Sequence, residues 1–125
     1  MTARGSCLCV AITFEVAAGP VPSSACHCSQ GRKQSGHYWA AGWVPEARVT
    51  VAGNVAWYQS SAEAKRGFCG ICGSTLFWKH RAEAEISFSL GALDEEAGVR
   101  LEKHIFVADK GDYYAIADGL PQKEQ

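Results

Sequence analysis

The chain has 125 residues, 47% of them hydrophobic and 20% charged, and a formal net charge of -1 at pH 7. This length suits one domain spanning residues 1–125, and the composition is that of a folded globular protein rather than a disordered one. A charge so close to zero exerts no long-range pull on nucleic acid or anionic lipid, so neither is expected as a partner.

The first residues, Met1 to Ser6, lack the apolar core and small-residue cleavage site of a signal peptide. No apolar run is long enough to cross a bilayer. A cytoplasmic protein without membrane contact is therefore expected. Stretches rich in β-branched and aromatic residues then recur between Gly, Pro, Asn and Asp at 10–16, 49–51, 55–59, 74–78, 85–90 and 104–107. Their shortness and spacing predict a mainly β domain of antiparallel hairpins, with Ala52-Gly53-Asn54 as one hairpin turn. Helix signals are weaker. One turn of helix is predicted over 60–66 and another over 112–117, the latter with Asp112 as its N-cap. The basic pairs Arg32-Lys33 and Lys65-Arg66 are offset by acidic residues and, as nucleic-acid features, read as solvated surface.

All six cysteines fall in close pairs: Cys7 and Cys9, Cys26 and Cys28, Cys69 and Cys72. In a reducing compartment these are thiols or metal ligands before they are disulfides. Cys69-Gly70-Ile71-Cys72-Gly73 is the most specific signal, because such a turn aims two thiolates and several backbone N–H groups at one metal. A redox CxxC normally opens a helix, whereas β-prone Leu76-Phe77-Trp78 follow here, so zinc is preferred. A closed tetrahedral site needs four ligands, and Cys7 and Cys9 are the expected complement, since alternate strand residues share a face. Two small buried apolar side chains are the alternative for that pair. A disulfide between residues two apart would be badly strained.

In order, the chain shows CxC at 7–9, CHCxxxRKxSG at 26–36, a serine pair ahead of RGFCxxCGSxLFW at 66–78, HIFV at 104–107 and DGLPQ at 118–122. This series resembles the glutathione-dependent formaldehyde-activating enzyme family, whose domain is shared with centromere protein V, from Gly5 to Gln122. The resemblance implies an Mss4-like β-tent built from short antiparallel strands around a structural zinc held by Cys7, Cys9, Cys69 and Cys72. It also implies carbon–sulfur lyase chemistry, the condensation of glutathione with formaldehyde or related handling of thiol adducts, with a small-molecule thiol as partner.

In that family a CxCxxC motif holds a second, catalytic Zn2+. Cys26 and Cys28 match its first two ligands, but Gly31 stands where the third would be. Three outcomes follow for this site. His37, His27 or Gln30 completes it, His37 being preferred; or a substrate thiol or water fills the open positions; or it holds no metal and leaves two thiols beside Arg32 and Lys33. Those cations would favour thiolate or attract the carboxylates of glutathione, unless both simply face water. The aromatic run His37-Tyr38-Trp39 and Trp43 could wall a small-molecule pocket, with core packing expected for at least one of these rings. The turn at Asp118-Gly119-Leu120-Pro121 is read as one that pins the C-terminus, and Phe68, Phe77 and Trp78 as core. Two functions compete: a lyase, and a zinc-stabilised binding module that has lost catalysis at Gly31.

Overall fold

A computed structural model describes residues 2–125 of the protein. Ten strands are β1 (Ala3–Ser6), β2 (Thr13–Val16), β3 (Ser23–Cys26), β4 (Trp39–Pro45), β5 (Val49–Ala52), β6 (Val55–Gln59), β7 (Ala64–Cys69), β8 (Thr75–His80), β9 (Glu85–Ser89) and β10 (His104–Ile105). They form a three-stranded sheet in the order β1-β2-β5 and a seven-stranded sheet in the order β10-β3-β4-β9-β8-β7-β6. Every pairing is antiparallel except β10 with β3, which is parallel.

Period-2 alternation makes the small sheet one-sided: in β2, Phe14 and Val16 are buried while Thr13 and Glu15 face solvent. Phe14 meets Phe77 of β8 edge-on at 5.2 Å and Phe88 of β9 at 5.9 Å. This aromatic contact joins the two sheets, with Ile12, Val44, Leu76 and Ile86 around it. The Phe14 ring lies over Gly5, where a Cβ would approach it to 2.3 Å, so β1 must be bare at that point. Phe14→Ala should cost about 3–5 kcal/mol, read from the midpoint of a denaturant melt at unchanged m-value.

Several sequence expectations are corrected. The segment Ala52-Gly53-Asn54 is no hairpin turn, because β5 pairs with β2 and β6 with β7. It carries the chain from one sheet to the other, with Gly53 at φ +100° and so close to Ala11 that a Cβ would sit 2.2 Å from its carbonyl oxygen. Over 60–66 there is no helix: Ser61 Oγ accepts from the N–H groups of Glu63 and Ala64 at 3.3 and 3.1 Å, closing a tight turn into β7. Residues 112–117 are not helical either. There the Lys110 ammonium donates to the carbonyls of Gly111 and Tyr114, which a helix would otherwise use.

Among the described residues α1 (Ser29–Ser35) is the one α-helix, and it was not foreseen. Cys28 caps it, its Sγ accepting from Gly31 N–H at 3.3 Å. Gly36 ends it at φ +84°, returning its N–H to Arg32 O. A sulfur acting in place of the usual Ser or Asp hid this helix from the sequence.

Candidate functional site

The four outer cysteines come together. Cys69 ends β7 and Cys72 lies in the turn before β8, while Cys7 and Cys9 sit just after β1. Their sulfurs all lie within 4.8 Å of one another. Cys9 Sγ is 3.7 Å from both Cys7 Sγ and Cys69 Sγ. Ligands at about 2.3 Å on the corners of a tetrahedron are about 3.8 Å apart, so the cluster has the spacing of a four-thiolate metal site. These separations are also far longer than the roughly 2 Å of a disulfide.

Backbone N–H groups already point at the sulfurs: Ile12 N donates to Cys7 Sγ at 3.3 Å, and Ile71 and Cys72 N donate to Cys69 Sγ at 3.4 and 3.5 Å. The Ser74 hydroxyl, 3.2 Å from Cys72 Sγ, holds that thiol well below its usual range, at about 5. Thiolate is the metal-binding form. The expected strand geometry at Cys7 and Cys9 is corrected, however. β1 stops at Ser6 and the pair occupies a tight turn, closed by Val10 N–H on Cys7 O and by Val10 at φ +66°. The turn, not strand alternation, turns both sulfurs inward.

Cys26, at the end of β3, and Cys28, at the cap of α1, lie on a second site. They line a cavity of about 780 Å³ together with Trp39, Trp43, Trp78 and Arg66. Arg66 lies on β7 and is only 7% exposed. Its Nε donates to Gln30 Oε1 at 3.0 Å and its Nη1 to Gln34 Oε1 at 3.4 Å, while the Trp39 ring lies 5.7 Å away. The two thiols hold one proton unequally. A hydrogen bond from Cys26, the Gly31 N–H and the Arg66 charge bring Cys28 down to about 5, and Cys26 is pushed up by that same hydrogen bond and by burial.

No third His, Cys, Asp or Glu joins Cys26 and Cys28 among the described residues. His37 is exposed and packs on Tyr38 and Tyr114, with ring centroids 4.3 Å apart in both cases. His27 points away from its flanking cysteines into a hydrogen-bonded chain that runs from the half-buried Tyr114 through two buried histidines to the exposed Asp118. Its Nδ1 meets Tyr114 Oη, its Nε2 lies 2.8 Å from His104 Nδ1, and His104 Nε2 lies 2.8 Å from Asp118 Oδ2. With Asp118 accepting, one arrangement of hydrogens satisfies every pair: Tyr114 donates to His27, His27 to His104, and His104 to Asp118. This chain fastens the C-terminal segment to the loop carrying the second cysteine pair.

Burial and the neighbouring His104 lower His27 to about 4. The unfolded chain takes up a proton near the ordinary histidine value of about 6.5, whereas the folded one resists until about 4. Stability should therefore decline as pH falls from about 6.5 to about 4, by at most about 1.4 kcal/mol per pH unit from this residue. Urea melts across that range, compared between wild type and His27→Gln, would check it.

Arg32 and Lys33 occupy the last turn of α1 and do not line the cavity. Lys33 is exposed, and Arg32 acts on Tyr114, where its charge opposes the upward shift that burial imposes on the phenol. Trp39 and Trp43 do wall the cavity. Trp78, expected in the core, joins them, while Phe77 is core. The Asp118–Pro121 turn pins the C-terminus, with Leu120 N–H on Asp118 Oδ1 at 3.0 Å and His104 N–H on Pro121 O at 2.9 Å. Arg66 was missed as a site residue and read as solvated. A strand reading of 64–69 would have found it, since alternation sets Arg66 opposite Lys65.

Fold and site together define a mainly β protein with a four-cysteine cluster able to hold a metal ion and, apart from it, a cysteine pair in an aromatic cavity. The chain belongs to the glutathione-dependent formaldehyde-activating enzyme family, whose profile matches residues 2–109. It is 29% identical over 117 residues to an uncharacterized lyase of Schizosaccharomyces pombe, covering 92% of this chain and 85% of that one. A crystal structure of a Rhodobacter sphaeroides protein superposes with a TM-score of 0.62 at 26% identity, covering 78% of this chain and 90% of the other. Among the described residues no helix is long and apolar enough to cross a membrane.

Proposed function

We propose that the protein is a cytoplasmic carbon–sulfur lyase resembling S-(hydroxymethyl)glutathione synthase, acting on glutathione or a similar thiol and an aldehyde. In this reading residues 1–125 form one Mss4-like β-tent domain with a structural Zn2+ on Cys7, Cys9, Cys69 and Cys72. The observation that carries it is the cavity in which Cys26 and Cys28 stand beside Arg66 and three indoles, within a chain whose family is established by its match. The four-thiolate cluster suits zinc in donor type and spacing. Bound there, the ion would supply folding energy rather than chemistry.

The second site does not fit a three-ligand catalytic zinc. It offers two sulfurs, and Gly31 contributes none. The reaction is therefore derived from the chain's own groups. The thiol sulfur adds to the aldehyde carbon, the carbonyl electron pair moves to oxygen, and the thiol proton ends on that oxygen. Cys26 and Cys28, sharing one proton between them, accept the thiol proton and return it to the nascent alkoxide. The indoles exclude water and hold the two reactants together.

A second reading, a zinc-stabilised binding module without catalysis, is favoured by Gly31. Exchange of 13C-formaldehyde with its glutathione adduct, followed by magnetisation-transfer NMR, separates the two. The lyase accelerates exchange, and Cys26→Ser with Cys28→Ser lowers the enzymic rate about 100-fold. No acceleration by wild-type protein, with one zinc per chain that the double variant retains, leaves the module.

A further inference from the structure

Arg66 is a buried cation whose side-chain hydrogen bonds go only to neutral groups. At 7% exposure it forms no ion pair among the described residues, although Glu83, Glu85 and Asp109 line the same cavity. Its partners are neutral: the amide oxygens of Gln30 and Gln34, one helical turn apart on α1, and the face of Trp39. Both contacts leave Nη2 without a protein acceptor among the described residues, and no hydrogen bond joins the guanidinium to either cysteine sulfur. A buried charge is costly unless it is paired. The two amides also fix the plane of the guanidinium, which matters for a group that recognises a carboxylate through a rigid fork of donors.

The fork therefore stands prepared, in the wall of a cavity that opens to solvent and holds two thiols. We propose that Arg66, rather than the Arg32-Lys33 pair at the far end of α1, recognises a carboxylate of the thiol ligand and so makes the site selective for carboxylate-bearing thiols. Gln30 and Gln34 are positioning residues that orient the fork. The inference rests on the lyase reading only for the ligand being a thiol, and it adds the residue that chooses which thiol. Lys103, whose ammonium lies 5.5 Å from the Trp43 ring on the same cavity wall, adds positive potential without a fixed geometry.

The test uses binding alone, with no aldehyde present. Zinc-loaded protein is titrated with glutathione and with glutathione diethyl ester, which keeps the thiol but lacks both carboxylates, and the indole fluorescence of the cavity tryptophans is followed. Wild type should bind glutathione about 10- to 100-fold more tightly than the ester, the range expected for a charge-assisted contact. Arg66→Gln should abolish that preference by weakening glutathione while leaving the ester within about twofold. Arg66→Lys should restore part of it, and Arg32→Gln with Lys33→Gln should leave it intact.

Equal affinities for the two ligands in wild type would overturn the proposal. So would an Arg66→Gln variant that loses both ligands alike, the signature of a role in packing or in holding the Cys28 thiolate. Should Arg66→Gln misfold, Gln34→Leu with Gln30→Leu provides the second test: it frees the fork and should reduce the preference severalfold, and an unchanged preference counts against it. A wild-type protein that discriminates through Arg66 yet does not accelerate adduct exchange sinks the lyase reading alone. One that accelerates exchange without discriminating sinks this inference alone.

Discussion

Cys69→Ser is expected to yield a chain that is unfolded at 25 °C and carries no firmly bound zinc. Cys69 is buried at the end of β7, with its sulfur 3.7 Å from Cys9 and its lone pairs already directed by the N–H groups of Ile71 and Cys72. A four-thiolate zinc has an apparent binding energy of about 10–16 kcal/mol at neutral pH, whereas a whole domain is stable by only about 5–15 kcal/mol. With the proposed structural zinc on this cluster, weakening the site by one ligand of four would cost a large share of the entire stability. The cluster also closes a loop of 60 residues between Cys9 and Cys69, tying the β1–β2 turn to the β7–β8 turn. Far-UV circular dichroism with metal analysis checks this, and a strong chelator should reproduce it in wild type. A cooperative melt unchanged by chelation would show that the sheets hold without the ion.

Gly31→Cys is expected to raise zinc content from about one to about two equivalents per chain. Gly31 is buried on α1, and a Cβ placed there lies 3.5 Å from Cys28 Sγ, so the new thiol would enter the space beside the existing pair. The one tight contact is with Cys26 O at 3.1 Å, which a shift of a few tenths of an ångström relieves. Gly31→Ala isolates that cost. The relief of glycine's poor helix propensity, about 1 kcal/mol, should roughly cancel it and leave stability nearly unchanged. Metal content that stays at one in Gly31→Cys, with Gly31→Ala folded, would mean that the Cys26–Cys28 loop does not converge on a metal position.

The fold class was readable because strand signals are local. Phe14 and Val16 alternate with polar residues, and the stretches at 55–59, 74–78 and 85–90 lie on observed strands. Of the strands that escaped, β3 is built of small residues and buried along most of its length, and β4 carries Trp39 and Trp43 around Ala40-Ala41-Gly42 with burial on both faces, so neither shows a clean alternation. The helix escaped because a thiol caps it. Arg66 escaped because a basic pair in sequence suggests solvent, whereas a strand separates its two members onto opposite faces.

What the sequence determined by itself was the inventory of chemistry: three cysteine pairs, the glycine in place of a third thiol at 31, and an order of motifs that identifies the family. Ligand type and spacing are properties of short segments, and short segments carry them in their residues. Tertiary structure decided which groups share a space. It brought Cys9 within 3.7 Å of Cys69 across 60 residues, and it drew His27 away from its neighbours toward His104 and Tyr114. It also placed Arg66, not Arg32 or Lys33, at the wall of the cavity with Cys26 and Cys28. Such neighbours are fixed by sheet order and by which face of a strand is buried, and both depend on packing between segments that the linear chain keeps far apart.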